Sequence, residues 1–321
     1  MKKAIITGGC GFIGSNMTLR LLNEGWQVEV IDNMSSGIEK HRDEIIEAGA
    51  KFWNVSYGAD CVEDIMRRFK PDVVFHFAAI PRVVYSIERP ILTNENNVQE
   101  TLKLLKHCEG NVGRFIFSSS SSVNGDTDIR PTPTTLNRRP KSPYALQKST
   151  IEDYCRLWSE LYKLDTVSLR YFNVFGPRQY GDSAYSTVIS AWCNNIVNGK
   201  NLRIDGTGEQ SRDFCYVDNV VDANLLAATC DRSFSGEVFN IAGGEVRTVR
   251  QVLNSFHDRC GHPPHIGDNK YRKFTVVQAP PRVGDVFATE ADLSLSKQVL
   301  GYAPAVTFDE GMKRTFEWWG L

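Results

Sequence analysis

The sequence has no Cys-x-x-Cys pair, no excess of charge of either sign, no internal repeat and no apolar run long enough to cross a membrane. Each absence removes a class of protein. The eight cysteines (Cys10, Cys61, Cys108, Cys155, Cys193, Cys215, Cys230 and Cys260) are scattered along the chain. A chain of 321 residues buries a sizeable core without covalent staples. The scatter therefore reads as reduced, mostly packing cysteines rather than a disulfide framework. A formal net charge of -1 offers neither a basic field for nucleic acid nor an acidic solvating tail. A spanning helix needs about 20 consecutive apolar residues, and there is no such stretch. The opening "MKKAIITGGCGFIG" is broken by glycines and lacks a small-residue cleavage site, so it does not read as a secretory signal. The expected location is cytoplasmic. The nearest approach to a metal pair is "HPPH", His262 to His265. Its two prolines make a loop and no carboxylate cluster joins it, so no metal is expected.

What is present is a regular alternation. "KKAIITGG", "WQVEVID", "KFWNV", "DVVFHFAA", "RFIFSSS" and "TVSLRYFNV" read as strands. Between them lie helical patterns, among them Phe12 to Asn23, "NNVQETLKLLKHCEG", and "SPYALQKSTIEDYCRLWSELY" with Pro143 at its entrance. Strands alternating with helices of this length imply right-handed βαβ units and a parallel sheet covered on both faces. From about Gly176 the rhythm changes to Gly-rich polar loops with shorter helices near 186–198, 217–229, 249–260 and 293–300. "GEVFNIAGG" is one more apolar run, able to return to the main sheet. The expected organisation is a dinucleotide-binding domain over residues 1–175, plus a returning strand near 236–244, and a smaller lobe over 176–321.

"TGGCGFIG" follows the first strand and opens the first helix, satisfying Gly-x-Gly-x-x-Gly and its wider relative Gly8-x-x-Gly11-x-x-Gly14. Glycines here permit a tight turn and close approach of a pyrophosphate, and the helix N-terminus supplies N–H groups and partial positive charge. Asp32 ends the second strand 18 residues after Gly14. A carboxylate there binds the adenosine ribose hydroxyls and repels a 2′-phosphate, and no arginine follows it directly. The pattern favours NAD over NADP.

"YALQK" places Tyr144 and Lys148 one helical turn apart, on one face. A tyrosine, with an ordinary pKa near 10, is a poor base at neutral pH. A cation about 4 Å away is worth about 4 kcal/mol at an effective dielectric near 20, roughly three pKa units. Lys148 together with a nicotinamide charge can thus bring Tyr144 toward operating pH. Five serines, Ser118 to Ser122, stand at the end of a strand, the carboxyl edge where such sheets bind ligands. A hydroxyl there can hydrogen-bond a substrate oxygen and relay its proton.

TGGCGFIG, Asp32, "HFAA", the serine-rich strand end and Tyr-x-x-x-Lys together resemble the extended short-chain dehydrogenase/reductase superfamily. "LRYFNVFGPRQ", "GTGEQSRDFCYVDNVVDA" and "PRVGDVFATEAD" narrow the resemblance to nucleotide-sugar enzymes, and within them to UDP-hexose 4-epimerases, particularly the UDP-N-acetylglucosamine 4-epimerase group. It spans nearly the whole chain. It implies an α/β fold, a Rossmann-like doubly wound parallel sheet with a smaller C-terminal α/β substrate lobe. It also implies a tightly held NAD, a UDP-sugar substrate, and a homodimer formed through the helices near 96–107 and 144–161.

Residue by residue, the resemblance implies that Ser120 is the catalytic hydroxyl beside Tyr144 and Lys148. Ser121 and Ser122 fill the next two places, where sugar 4,6-dehydratases resemble one another in carrying Asp-Glu. Serines cannot eliminate water across C5–C6, so dehydration is not expected. Cofactor contacts fall on Gly8, Gly11, Phe12, Ile13, Gly14, Asp32, Asn33, Asn54, Val55, Phe77, Ala78, Ala79, Asn97, Ser118 and Tyr171. Arg212 and Arg282 fall at positions that grip the diphosphate, suited by the paired hydrogen bonds of guanidinium. Asn173 matches a substrate-contacting asparagine and Asp285 a residue near the uridine ribose. Arg82 and Tyr185 fall near the sugar or its phosphates. Thr289 falls at a gatekeeper position beside the sugar 2-substituent, and its small size favours N-acetylated hexoses. Two departures stand out. Asn124 replaces the usual tyrosine of Val-Tyr-Gly, and "FWNVS" offers Asn54 and Val55 at the adenine in place of Asp-Ile. The rival readings are an epimerase for UDP-glucuronate or a CDP-dideoxyhexose, a net oxidoreductase or decarboxylase, and a non-catalytic NAD(H)-sensing protein.

Overall fold

The computed structural model describes residues 1–181, 186–260, 274–280 and 286–321. The first half follows the alternation: β1 Lys3–Thr7, α1 Phe12–Asn23, β2 Gln27–Ile31, α2 Glu39–Glu47, β3 Lys51–Trp53, α3 Cys61–Phe69 and β4 Val73–His76. Two short helices, α4 Val83–Glu88 and α5 Pro90–Asn94, lead into a π-helical turn, Glu95–Glu100, continued by α6 Thr101–Cys108. Next come β5 Arg114–Ser120, a 3₁₀ turn Ser121–Asn124, the long α7 Pro143–Tyr162 and β6 Asp165–Tyr171. After β7 Val174–Phe175 the chain builds α8 Val188–Val197, β8 Leu202–Asp205, β9 Ser211–Asp213, β10 Cys215–Tyr216 and α9 Val217–Thr229. It ends with β11 Ser235–Ile241, β12 Val246–Thr248, α10 Val249–Cys260, β13 Val276–Ala279, α11 Ser294–Leu300 and α12 Phe308–Trp319.

Seven strands form one parallel sheet in the order β11-β6-β5-β4-β1-β2-β3. The order reverses between β1 and β4, the crevice where open α/β sheets take their ligands. Central strands are apolar on both faces (β1 Ala4, Ile5 and Ile6; β4 Val73, Val74 and Phe75), because helices cover both sides. One core packs α1 and α9 against the sheet through Met17, Leu21, Val220 and Ala223. The other packs α3, α6 and α7 through Val62, Met66, Leu104, Leu105 and Ile151. A third cluster, Trp192, Phe256, Phe308 and Phe316 among its members, forms the interior of the C-terminal lobe.

Strand β11 joins β6 in parallel, in register from Val238 opposite Ser168 to Ile241 opposite Tyr171. The sheet is thus closed on that side by residues that follow much of the lobe in sequence. Buried His76 ties the sheet's mouth together. Its Nδ1 lies 2.7 Å from Thr7 Oγ1 and its Nε2 lies 2.9 Å from Thr101 Oγ1. Burial holds its pKa well below the ordinary value, so the ring is neutral.

Candidate active site

The glycine turn is dictated by contact. Gly8 has φ +72°, and a Cβ on it would meet Ala78 N at 2.6 Å; one on Gly14 would meet Gly8 O at 2.2 Å. Only glycine lets β1, the 78–79 segment and α1 approach this closely. Gly11 caps α1 without a side-chain hydrogen bond, and no acid stands in the first turn. The helix N-terminus at Phe12, Ile13 and Gly14 is therefore open to an anionic group. Asp32 Oδ2 accepts from Cys10 N at 3.0 Å and Oδ1 from Met34 N at 2.9 Å, which fixes its carboxylate beside the turn. Burial raises the Asp32 pKa and these two N–H groups oppose the rise. A phosphate cradle, an unblocked helix end and an anchored carboxylate fit a dinucleotide with free ribose hydroxyls. Asn33 and Asn54 are exposed around this end, with Val55 half-buried. The loop following β3 is held by Ser56 Oγ donating to Glu100 at 2.8 Å and by Tyr57 donating to Asn96 O.

Side chains from three elements meet at the strand ends. Helix α7 begins with Ser142 capping Ala145 N at 3.2 Å and Pro143 in its first turn. That places Tyr144, 9% exposed, and Lys148, 5% exposed, one turn apart against β5. Lys148 Nζ donates to Ser118 O at 2.7 Å and lies 5.9 Å from the Tyr144 ring centroid. Burial lowers the Lys148 pKa to about 7 and raises that of Tyr144 to about 12, while a Ser120 hydrogen bond works to lower the latter. The sequence expectation had Lys148 pulling the phenol down. In the protein alone desolvation sets the direction at Tyr144, and the Lys148 ammonium is engaged with the Ser118 carbonyl.

Ser120 is oriented by its neighbour. Its Oγ accepts from Ser122 Oγ at 2.9 Å and Ser122 N at 3.2 Å. With both lone pairs engaged, the Ser120 proton is left to donate. Ser121 and Ser122 follow in the 3₁₀ turn. Ser118 Oγ donates to Tyr171 OH at 3.4 Å, and Asn224 Nδ2 donates to the same oxygen at 2.8 Å, so the Tyr171 hydroxyl points inward. Asn97, on the π-helical turn, has its amide committed: Oδ1 accepts from Ile80 N at 2.7 Å and Nδ2 donates to Gln147 Oε1 at 2.8 Å. It braces the segment after Phe77, Ala78 and Ala79.

Beyond β6 a cavity of about 470 Å³ enters the C-terminal lobe, with Asn173, Trp192, Lys200, Arg203, Gln210 and Arg212 in its walls. Arg212 Nη1 donates to Ser211 O at 2.8 Å and Phe287 O at 3.1 Å. Thr289 lies beside β9, where its N donates to Ser211 O at 3.1 Å and its Oγ1 accepts from Asp213 N at 3.4 Å. Buried Asp213 holds that corner through Gly244 N at 2.9 Å and Ala291 N at 3.1 Å. Its pKa rises to about 6 through burial. Arg82 precedes α4, half-buried near the mouth of the sheet. Tyr185, Arg282, Asp285 and the His262–His265 stretch lie outside the described residues. Among the described residues no group of three or more His, Cys, Asp or Glu is placed to hold a metal.

Sequence reasoning missed Glu152 and Arg170. Glu152 stands one turn beyond Lys148 on the same face of α7, a spacing legible in "KSTIE". It accepts from Ser119 Oγ at 2.5 Å and from Arg170 at 2.8 and 2.7 Å. Arg170 Nη1 in turn donates to Asn124 Oδ1 at 3.2 Å. The departure at Asn124 thus has a physical account: its amide oxygen is a buried acceptor for a buried guanidinium.

The model of the NAD dependent epimerase/dehydratase family matches residues 4–242. The UDP-glucose 4-epimerase of Mycolicibacterium smegmatis is 31% identical to this chain, over 98% of the chain and 97% of the relative. The structure of the UDP-N-acetylglucosamine 4-epimerase of Methanobrevibacter ruminantium, in complex with UDP-N-acetylmuramic acid, superposes with a TM-score of 0.89 at 35% identity, covering 99% of this chain and 97% of that one. The UDP-glucuronic acid 4-epimerase of Bacillus cereus, with UDP-glucuronic acid and NAD, gives 0.88 at 27%, covering 99% of both. With its glycine cradle, Asp32 and the Tyr144–Lys148 helix in one crevice, the chain belongs to the NAD dependent epimerase/dehydratase family, as an NAD-dependent enzyme of the nucleotide-sugar epimerase type.

Proposed function

We propose that the protein interconverts the C4 epimers of a UDP-hexose, with UDP-GlcNAc and UDP-GalNAc as its substrates and UDP-Glc and UDP-Gal as a second pair. The observation that carries this reading is the convergence of Tyr144, Lys148 and Ser120 at the carboxyl edge of the sheet, with serines in the two places after Ser120. When bound, NAD supplies the acceptor and donor of hydride for C4, and a positive charge near the phenol. Tyr144 takes the proton of the 4-hydroxyl and returns it. Ser120 donates to the same oxygen, and Lys148 favours the phenolate. The 4-keto sugar turns over before reduction on its other face. Ser121 and Ser122 carry no acid, so nothing at those positions drives elimination toward a dehydrated product.

In this reading the cavity beyond Asn173 takes the nucleotide, and Arg212 and Arg282 hold the diphosphate. Asp285 lies at the ribose, and Arg82 and Tyr185 at the sugar end. Residues 1–175 with 236–244 carry NAD, and 176–321 carry the substrate. Thr289 leaves room beside the sugar 2-position. The helices near 96–107 and 144–161 pair with a second copy as a homodimer, and Leu146 (56% exposed) and Leu161 (66%) stand exposed on the second of them.

The test is to incubate the purified protein, without added NAD, with UDP-GlcNAc, UDP-Glc and UDP-GlcA and to follow the sugars by NMR. Interconversion of the N-acetylated pair is expected. Conversion of UDP-GlcA alone overturns the substrate assignment, and no conversion of any pair overturns the epimerase reading. Thr289→Tyr is expected to cut turnover of the N-acetylated pair by about 100-fold or more while sparing UDP-Glc, the scale at which an occluded pocket discriminates. Equal losses on both pairs remove Thr289 from that role.

A further inference from the structure

The sharpest unexplained feature is a buried charge network behind the reacting side chains. Glu152 and Arg170 have side-chain exposures of only 2% and 3%, and they form a two-point ion pair from α7 to β6. Two further groups hang on it. Glu152 Oε1 accepts from Ser119 Oγ at 2.5 Å, and Arg170 Nη1 donates to Asn124 Oδ1 and to Thr134 O, both at 3.2 Å. Arg138 closes the outer side, donating to Ser149 O at 2.7 Å and to Asp153 at 2.6 Å, with Glu152 Oε2 at 3.4 Å.

A buried ion pair is a poor device for stability, because an apolar replacement of similar volume is often neutral or better. Its use here is geometric. Ser119 precedes Ser120, and Asn124 ends the turn that carries Ser121 and Ser122. The two ends of the serine turn are therefore held by one ion pair. Glu152 also lies one turn past Lys148 and two past Tyr144 on the same helix, so the grip on the turn is registered to the phenol.

We propose that Glu152, Arg170 and Asn124 are positioning residues that set Ser120 against Tyr144. Asn124 is the member through which Arg170 reaches the far end of the turn. The inference rests on the epimerase reading for its kinetic consequence, but not for its geometric one.

The test compares wild type with Asn124→Leu, which keeps the branched skeleton and removes the acceptor, Ser119→Ala, which cuts the other end, and Asn124→Asp, which keeps an acceptor. Both cutting variants are expected to lower kcat about tenfold with KM changed less than about twofold, the signature of a misplaced reacting group. Asn124→Asp is expected to recover most of kcat. Crystal structures of the NAD-loaded wild type and Asn124→Leu supply a readout that needs no sugar. Ser120 Oγ is expected to move from Tyr144 Oη by about 0.5 Å or more. A displaced Ser120 with unchanged kcat overturns the proposal, as does an unmoved Ser120. A lower thermal midpoint with unchanged kcat marks a merely structural network and also overturns it. If wild type converts no UDP-sugar, the epimerase reading falls, and the crystal comparison alone decides the positioning.

Discussion

The polarity of one hydroxyl governs the reacting end of the sheet. Ser122 donates twice to Ser120, from side chain and backbone, so the Ser120 proton is left to donate, with Tyr144 as its hydrogen-bond partner. Removing the Ser122 hydroxyl frees Ser120 to accept instead. Ser122→Ala is expected to lower kcat about tenfold, within the range of one misdirected proton-transfer partner, and Ser122→Thr to retain it; equal rates in Ala and Thr variants remove the effect. Lys148 gives a second measurement at this scale. Its folded pKa, about 7, lies below the ordinary 10.5. Between those values the unfolded chain holds a proton that the folded chain has released, so its contribution to stability rises with pH. Without NAD, the stability difference between wild type and Lys148→Met is expected to be flat below pH 7 and to grow by up to about 1.4 kcal/mol per pH unit above it. Denaturant unfolding from pH 6 to 9 reads this, and a pH-independent difference contradicts it.

Among elements, those with a strong period were legible and those made by local contacts were not. The entrance of α7 at Pro143 and the spans of α9, α10 and α11 agree with their apolar spacing. So does the Gly-rich turn, where steric need and residue type coincide. Helices α4 and α5 went unread because Arg82 to Asn94 is interrupted by Pro90 and lacks a sustained stripe. The stretch read as one helix from Asn96 opens instead with a π-helical turn at Glu95–Glu100. There Asn97 and Glu100 spend their side chains on neighbouring loops, a tertiary demand with no signature in periodicity. The short lobe strand β9 falls within a stretch that reads as a polar loop and β8 goes unread, because three or four residues show no alternation. Of the candidate site, the Tyr-Lys pair and the serines were readable from type and spacing, whereas the Glu152–Arg170 pair needed the β6–α7 contact. The α1 turn yields a test: a Cβ at Gly14 would lie 2.2 Å from Gly8 O. Gly14→Ala is expected to be purified with little or no bound NAD, judged by cofactor released on denaturation. Full occupancy would mean that the turn tolerates a wider gap.

For the whole molecule, one surface stands apart. Helices α5 and α7 expose Ile91 and Leu92 on the first and Leu146, Leu161 and Tyr162 on the second. A second cavity, of about 350 Å³, opens there between Pro90, Glu95 and Leu146. Apolar exposure of this extent is what an isologous contact covers. If the proposed homodimer forms through this surface, wild type sediments as a dimer and Leu161→Asp with Leu146→Asp as a monomer in sedimentation velocity, with bound NAD left in place; a wild-type protein that sediments as a monomer at micromolar concentration removes the surface from this role. No described helix is long and apolar enough to cross a membrane.

The placement of β11 has a consequence for descent and for protein engineering. The strand lies against β6 through Ile241 opposite Tyr171, yet α8, α9 and four short strands come between them in sequence. The sequence boundary near residue 175 is therefore not a seam in space. A gene cut there would yield a first half whose β6 leaves the backbone groups that pair with β11 unmatched along one edge, an invitation to aggregate. Recombination that exchanges substrate lobes between relatives must carry β11 along with the incoming lobe, and that strand must still fit the resident β6. Exchange of whole lobes in this architecture is thus filtered by an inherited strand pairing, a constraint that single substitutions within the lobe do not meet.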